Sequence, residues 1–363
     1  YSSPLFLLFS IFIILFLVFI WLYNKYVDIY ICIQPGKFSY ARSGFSLFMV
    51  AFLFVPIRGG IQKIPINQSD AYFSPKLFAD HAAINLPWNI FFSILNKNSG
   101  HNPFDYFPED KAKSLVEELY KTENAHIPAI LNTKRPNIIF IIMESYTAKF
   151  IGCLGGEKEV TPNIDRIAAD GLLFTNIYAA GDRSEKGLVA VLSGYPNQAI
   201  TSIIKTPTKT QHLPSITQAL EAAGYHTSYT YGGELEFANI KSYLLNTGFD
   251  ELISKYSFPL SERTTSWGVH DQYSLPSLIS DIKKEKQPLF ATLFTLSSHE
   301  PYDVPFSKFK GGDETNKFRN SVAYTDSCIG VFMNTLHNDP LWQNTLVVFV
   351  ADHGHHLPGN DPN

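Results

Sequence analysis

Residues 136–145 read PNIIFIIMES. The stretch from Asn137 to Met143 is apolar, β-branched and uninterrupted, and Pro136 stands in front of it. A short run of that kind suits a strand buried on both faces rather than one with a wet side. Such a strand needs helices above and below it, and the surrounding sequence offers them. TPNIDRIAADG (161–171) predicts a helix closed by Gly171, LLFTNIY (172–178) a strand, and 184–193 a helix. LPSITQALEAAGY (213–225) predicts a helix ending at Gly224, followed by the strand HTSYTYGG. PLFATLFTLSSH (288–299) and TLVVFVADHG (345–354) are two more strands that run into polar ends. The alternation predicts an α/β fold, a mostly parallel sheet sandwiched by helices, with the active site beyond the carboxyl ends of the strands.

Those polar ends suit one another chemically. Glu144 directly follows the first strand, and Asp352 and His353 directly follow the last. Two carboxylates and an imidazole at converging strand ends suit a divalent metal such as Zn²⁺ or Mn²⁺. A lone carboxylate at a strand end can simply cap the next helix, so the set carries more weight than any member. Ser184, in GDRSEKGLVAVLSGYP (181–196), opens the helix expected at 184–193. Its plain role is that of an N-cap, worth about 1 kcal/mol. The same position favours an anion at the helix N-terminus, and a nearby metal would make the hydroxyl nucleophilic.

PNIIFIIMES, TPNIDRIAADGLLFTNIYAAGDRSEKGLVAVLSGYP, SSHEPY and VVFVADHG together resemble the sulfatase and alkaline-phosphatase superfamily, and within it the lipoteichoic acid synthase-like membrane proteins. The likeness runs over about 135–357. It implies one divalent metal, Mn²⁺ first with Zn²⁺ or Mg²⁺ as alternatives, bound by Glu144, Ser184, Asp352 and His353, with Ser184 as nucleophile. It puts His299 of SSHEPY in contact with substrate. Two departures stand out. The nucleophile is Ser where the synthases carry Thr, and FANI (237–240) stands where they have a Trp- and Arg-bearing segment, so Arg183 is the residue left to replace the lost charge. The implied function is transfer of a phosphoryl-linked headgroup, phosphoglycerol by preference, from a membrane phospholipid to an extracytoplasmic glycan or lipid acceptor.

The rest of the chain fits a membrane enzyme. PLFLLFSIFIILFLVFIWL (4–22) is an uncharged run long enough for a bilayer core of about 30 Å, with Trp21, Tyr23 and Tyr26 at its end as an aromatic belt. SGFSLFMVAFLFVPI (43–57) is a shorter second candidate. Lys25, Lys37 and Arg42 between the runs favour a cytoplasmic loop, which would send the chain after residue 57 outward in a multi-pass cell-membrane protein. Residues 58–135 form a connector, in which 78–95 suits a helix lying on the membrane surface or packed on the catalytic domain. His81 and His101 there are expected as ordinary surface histidines. The catalytic domain is then 136–363, expected to be incomplete because the chain stops in mid-loop and starts at Tyr1 rather than Met.

Composition trims the alternatives. A net charge of −4 gives no reason to expect nucleic acid as a partner. Cys32, Cys153 and Cys328 make neither a disulfide framework nor a cysteine metal site. That weakens a phosphoethanolamine transferase, since those enzymes typically carry several disulfides. A sulfatase proper would need a Pro and an Arg after the nucleophile, where Glu185-Lys186-Gly187 stand. A non-catalytic binding protein on this fold would be expected to have lost part of the Glu-Ser-Asp-His set.

Overall fold

Asn137–Met143 is a strand, β1, and it lies in the interior of a five-stranded sheet. The other strands are β2 (His226–Tyr231), β3 (Glu251–Ile253), β4 (Leu289–Phe294) and β5 (Thr345–Ala351). Their order is β3-β2-β4-β1-β5 and every pairing is parallel. This computed structural model describes residues 40–61, 64–74, 76–95, 105–121 and 130–359, with scattered positions between 13 and 25.

The uninterrupted apolar run of β1 has the cause expected of it: both faces are covered. Ile139, Ile141 and Met143 enter one core with α1 (Pro162–Asp170), α5 (Asp271–Ile282) and α6 (Glu314–His337). Ile138, Phe140 and Ile142 enter the other with α2 (Ser184–Ser193), α3 (Ile216–Ala222) and α4 (Ile240–Thr247). The start of α1 is capped from a distance, since the Asp326 carboxylate on α6 accepts from the amides of Asn163 (3.1 Å) and Ile164 (2.9 Å). Helix α3 is capped locally by Ser215, whose hydroxyl accepts from the Gln218 amide.

The structure corrects several expectations. LLFTNIY (172–178) is not a strand; it is irregular, with Phe174, Ile177 and Tyr178 largely exposed. Both sides of β1 are taken by β4 and β5, and no described strand lies beside 172–178, so its β propensity finds no partner. Helices α5 and α6 were not anticipated. Pro276 inside α5, and the buried polar residues Asn320, Ser321, Thr325 and Asp326 in α6, blur the helical periodicity that would have marked them.

The chain divides into two units, 1–66 and 67–363. In the first, the run 43–57 lies within a helix, Tyr40–Arg58, whereas the run 4–22 falls largely outside the described residues. No helix among the described residues is long and apolar enough to cross a membrane. At ~1.5 Å per residue the run 43–57 spans about 22 Å, short of a bilayer core of about 30 Å. In the second unit, the 78–95 stretch is two helices, Leu77–Ala83 and Leu86–Leu95, separated at Asn85, whose side chain accepts from the Trp88 amide. Just before them the Gln68–Ala71 turn packs on α4, with Tyr72 fully buried. His81 is exposed, edge-on to Tyr72, and His101 lies outside the described residues.

Candidate active site

Because β1 and β5 are parallel neighbours with Met143 opposite Ala351, the residues that follow them leave the sheet side by side. These are Glu144 and Asp352. The Ser145 backbone, at φ 55°, turns sharply enough to serve both: its amide donates to Asp352 Oδ1 (2.9 Å) and its hydroxyl to Glu144 Oε1 (2.7 Å). The segment after β4 fixes the Glu144 backbone from the other side. Thr295 Oγ1 accepts from its amide (2.9 Å), and the Ser298 hydroxyl donates to its carbonyl (2.6 Å).

Helix α2 closes the third side. A Cβ on Gly187 would stand 2.2 Å from the Asp352 carbonyl oxygen, so a glycine lets the first turn of α2 reach the strand end. Ser184 is thereby brought to 2.9 Å from Glu144 Oε2 and 3.3 Å from His353 Nε2. One expectation changes here: Ser184 is not the N-cap. Arg183 is extended (φ −150°, ψ 153°) and holds that position, so Ser184 is the first helical residue and its hydroxyl points into the acidic cluster instead of back along its own helix.

The cluster has the donor set of a cation site. One ligand atom each from Glu144, Asp352 and His353 lies within 4.8 Å of the others, and all three residues are buried. Asp352 Oδ2 is buried without a hydrogen-bond partner. His353 Nδ1 faces the Gly354 carbonyl at 2.6 Å, which makes Nδ1 a donor and turns Nε2 towards the carboxylates. Burial, reinforced by the Glu144 charge, pushes Asp352 up to about 7. Burial opposes the charge on His353 too, yet the Glu144 hydrogen bond and the two carboxylates lift it to about 9. Burial likewise works against an ionised Glu144, but His353 and the nearby His299 hold it below its ordinary value. Two buried carboxylates beside one imidazole call for positive charge, and the residues fit a divalent ion.

Two further expected residues flank the cluster. His299 follows β4 through a turn, half-buried, its Nδ1 2.8 Å from the Glu300 carbonyl. Arg183 is exposed next to Ser184 and, among the described residues, its guanidinium has no ion-pair partner. The residues missed from sequence lie around His299. Trp267 packs edge-on against it with ring centroids 4.8 Å apart, and Phe237, the first residue of FANI, packs on Trp267 at 5.4 Å. So although FANI lacks a Trp, the fold brings one alongside it from a different loop. That loop is pinned by the Trp267 indole donating to the Glu300 carbonyl (2.6 Å), by Ser266 on Asp303, and by His270 against the Asp303 carbonyl. Buried Asp271 organises the neighbouring turn, accepting from the amides of Leu296 and Ser297. No local pattern in the sequence couples Trp267 to Phe237; the chain comes back to it only after α4 and β3.

Comparison with known proteins gives the family and the fold. A curated relative, lipoteichoic acid synthase-like YvgJ of Bacillus subtilis, is 24% identical over 231 residues, covering 61% of this chain and 37% of its own length. The chain thus spans a little over a third of that relative. Among solved structures, a protein of the alkaline phosphatase superfamily from Vibrio parahaemolyticus is 30% identical with a TM-score of 0.61, covering 70% of this chain and 65% of that one. The lipoteichoic acid synthase LtaP from Listeria monocytogenes shares the fold at 20% identity and a TM-score of 0.54, over 61% of this chain and 56% of its own. The sulfatase family profile matches residues 136–363, the stretch that carries every strand and the whole cluster, and the chain belongs to the sulfatase family.

Proposed function

We propose that this protein is a membrane-anchored phosphotransferase that moves a phosphoryl-linked headgroup, phosphoglycerol by preference, from a phospholipid to an extracytoplasmic glycan or lipid acceptor. The observation that carries this is the Ser184 hydroxyl, held 2.9 Å from Glu144 Oε2 at the first turn of a helix whose amides point the same way. Glu144, Ser184, Asp352 and His353 would hold one divalent ion, Mn²⁺ first and Zn²⁺ or Mg²⁺ otherwise, which would supply positive charge against the phosphodiester oxygens and acidify the hydroxyl.

The chain's own residues account for the remaining steps. Ser184 Oγ, its proton directed at Glu144, attacks phosphorus; the bond to the diacylglycerol oxygen breaks, and that oxygen takes a proton from His299. Arg183, beside the nucleophile, adds charge against the non-bridging oxygens. Trp267 and Phe237 wall the side of the site nearest His299, where the headgroup sits. The acceptor hydroxyl, giving its proton to the His299 imidazole, then attacks the same phosphorus; the bond to Ser184 Oγ breaks and that oxygen recovers its proton from Glu144, so the enzyme returns unchanged. Two specific absences disfavour the alternatives: Glu185-Lys186-Gly187 follows Ser184 where a sulfatase needs its Pro and Arg, and Cys153 and Cys328 are free thiols.

The test is intact mass of the protein trapped after exposure to defined phospholipids. A phosphoglycerol adduct on Ser184 is expected. A phosphoethanolamine adduct would reassign the headgroup, and turnover of sulfate esters without an adduct would defeat the proposal.

A further inference from the structure

At the opposite end of the sheet, where β2 and β3 begin, a second group of ligand-type side chains meets. His226 opens β2, Glu251 opens β3, and Glu285 lies in the loop between α5 and β4. Ser228 pairs with Glu251, so by the two-residue period of a strand His226, Ser228 and Glu251 share one face of the sheet. Three separate elements therefore deliver one imidazole and two carboxylates to one place, with a donor atom from each within 4.8 Å of the others.

Glu285 makes this more than a surface cluster. Its side chain is only 9% exposed, and neither carboxylate oxygen has a hydrogen bond. Burying a carboxylate without a donor is costly, and native proteins avoid it unless something fills the gap. His226 Nε2 stands 3.8 Å from Oε2, too far for a hydrogen bond, and the Ser228 hydroxyl on the same face is the other neutralising neighbour. Two ligands of one tetrahedral Zn²⁺, each ~2.0–2.1 Å from the metal, stand about 3.4 Å apart. The other imidazole nitrogen is already committed: Nδ1 lies 3.3 Å from Asp250 Oδ2. That carboxylate is held by the Thr227 amide (2.9 Å) and hydroxyl (3.0 Å). A carboxylate on Nδ1 orients the ring and leaves Nε2 as the free ligand, as in metal-bound histidines.

We propose that His226, Glu251 and Glu285 form a second divalent-cation site, of the borderline class that takes one nitrogen and two carboxylates, with Zn²⁺ as the first candidate. It is structural, at the amino ends of the strands and away from Ser184, and it ties the short edge strand β3 and the α5–β4 loop to β2. It does not depend on the transfer reaction proposed above.

The test uses the full chain carrying Asp352→Asn and His353→Ala, which removes the first cluster, dialysed against buffered free Zn²⁺. One zinc per chain is expected by elemental analysis, with a melting temperature above that of the zinc-free protein. Adding Glu285→Gln should abolish both the zinc and the thermal gain, while the zinc-free protein melts no lower, because an unpartnered buried charge has gone. Glu251→Gln, at an exposed position, should weaken zinc binding without lowering the zinc-free melting temperature. Failure of the first variant to bind zinc would overturn the proposal. Zinc retained after Glu285→Gln would overturn it as well.

Discussion

At the scale of single residues, the site depends on one hydroxyl and on who holds the charge around it. Ser184→Ala should lower transfer by about 10³-fold or more if the hydroxyl is the nucleophile. Because Ser184 is not the N-cap, the same change should alter unfolding stability by no more than about 1 kcal/mol, the worth of one hydrogen bond. Ser184→Thr should keep activity. Steady-state kinetics beside denaturant melts separate the two readouts, and wild-type turnover by Ser184→Ala would mean that another group attacks. The charge balance gives a second expectation. Burial and the Glu144 charge push Asp352 up to about 7, and the carboxylates lift His353 to about 9. A bound cation needs both in their basic forms, so protons and metal compete. Affinity for Mn²⁺ should therefore rise with pH until His353 is deprotonated, by up to about tenfold per pH unit for each proton displaced. Calorimetry in buffers of different ionisation enthalpy would count the protons released; zero release at neutral pH would contradict the shared-charge arrangement.

At the scale of elements, the decisive contact is a helix against a strand end. Gly187 is buried, and a methyl group there would meet the Asp352 backbone, which cannot swing aside as a side-chain tip can. Gly187→Ala should push the first turn of α2 off the end of β5. An overpacking cost of about 1–3 kcal/mol is expected in unfolding experiments. The functional loss should be larger, on the order of 10²-fold in kcat, because Ser184 moves relative to Glu144. Full activity in a stably folded Gly187→Ala protein would show that this close approach is dispensable. The same scale explains an expectation that failed. The apolar and aromatic run LLFTNIY looks like a strand, but a strand exists only with a neighbour, and the described sheet gives 172–178 none.

At the scale of the whole molecule, the proposed function requires the catalytic unit to be held at a bilayer. A catalytic unit tethered to a bilayer meets lipid donors at high local concentration. The basic residues Lys25, Lys37 and Arg42 favour a cytoplasmic loop ahead of the domain. A reporter that works only outside the cytoplasm, fused near residue 130, should therefore be active. Activity only from a cytoplasmic reporter would reverse the topology. The described helix Tyr40–Arg58 is not long and apolar enough to cross by itself, so this experiment bears on the anchor independently of the fold.

Much of this protein was legible in one dimension because burial writes itself into local pattern. A strand covered on both faces favours apolar residues at every position, as Asn137–Met143 shows. Thr345–Ala351 carries a like run at the half-buried sheet edge, and a parallel sheet presents its strand ends together. Those two facts bring out the α/β class and bring Glu144, Asp352 and His353 to one edge without any knowledge of contacts. What the sequence could not contain is long-range geometry. That Ser184 is helical rather than capping follows from the conformation of Arg183, and its reach depends on a bare backbone at Gly187. Trp267 meets His299 because β4 returns the chain between them, and it meets Phe237 after the chain has passed through α4 and β3. Glu285 meets His226 because the loop after α5 lies at the start of β2. Such pairings join residues about 30 to 60 positions apart, where no periodicity operates and packing alone selects the neighbour.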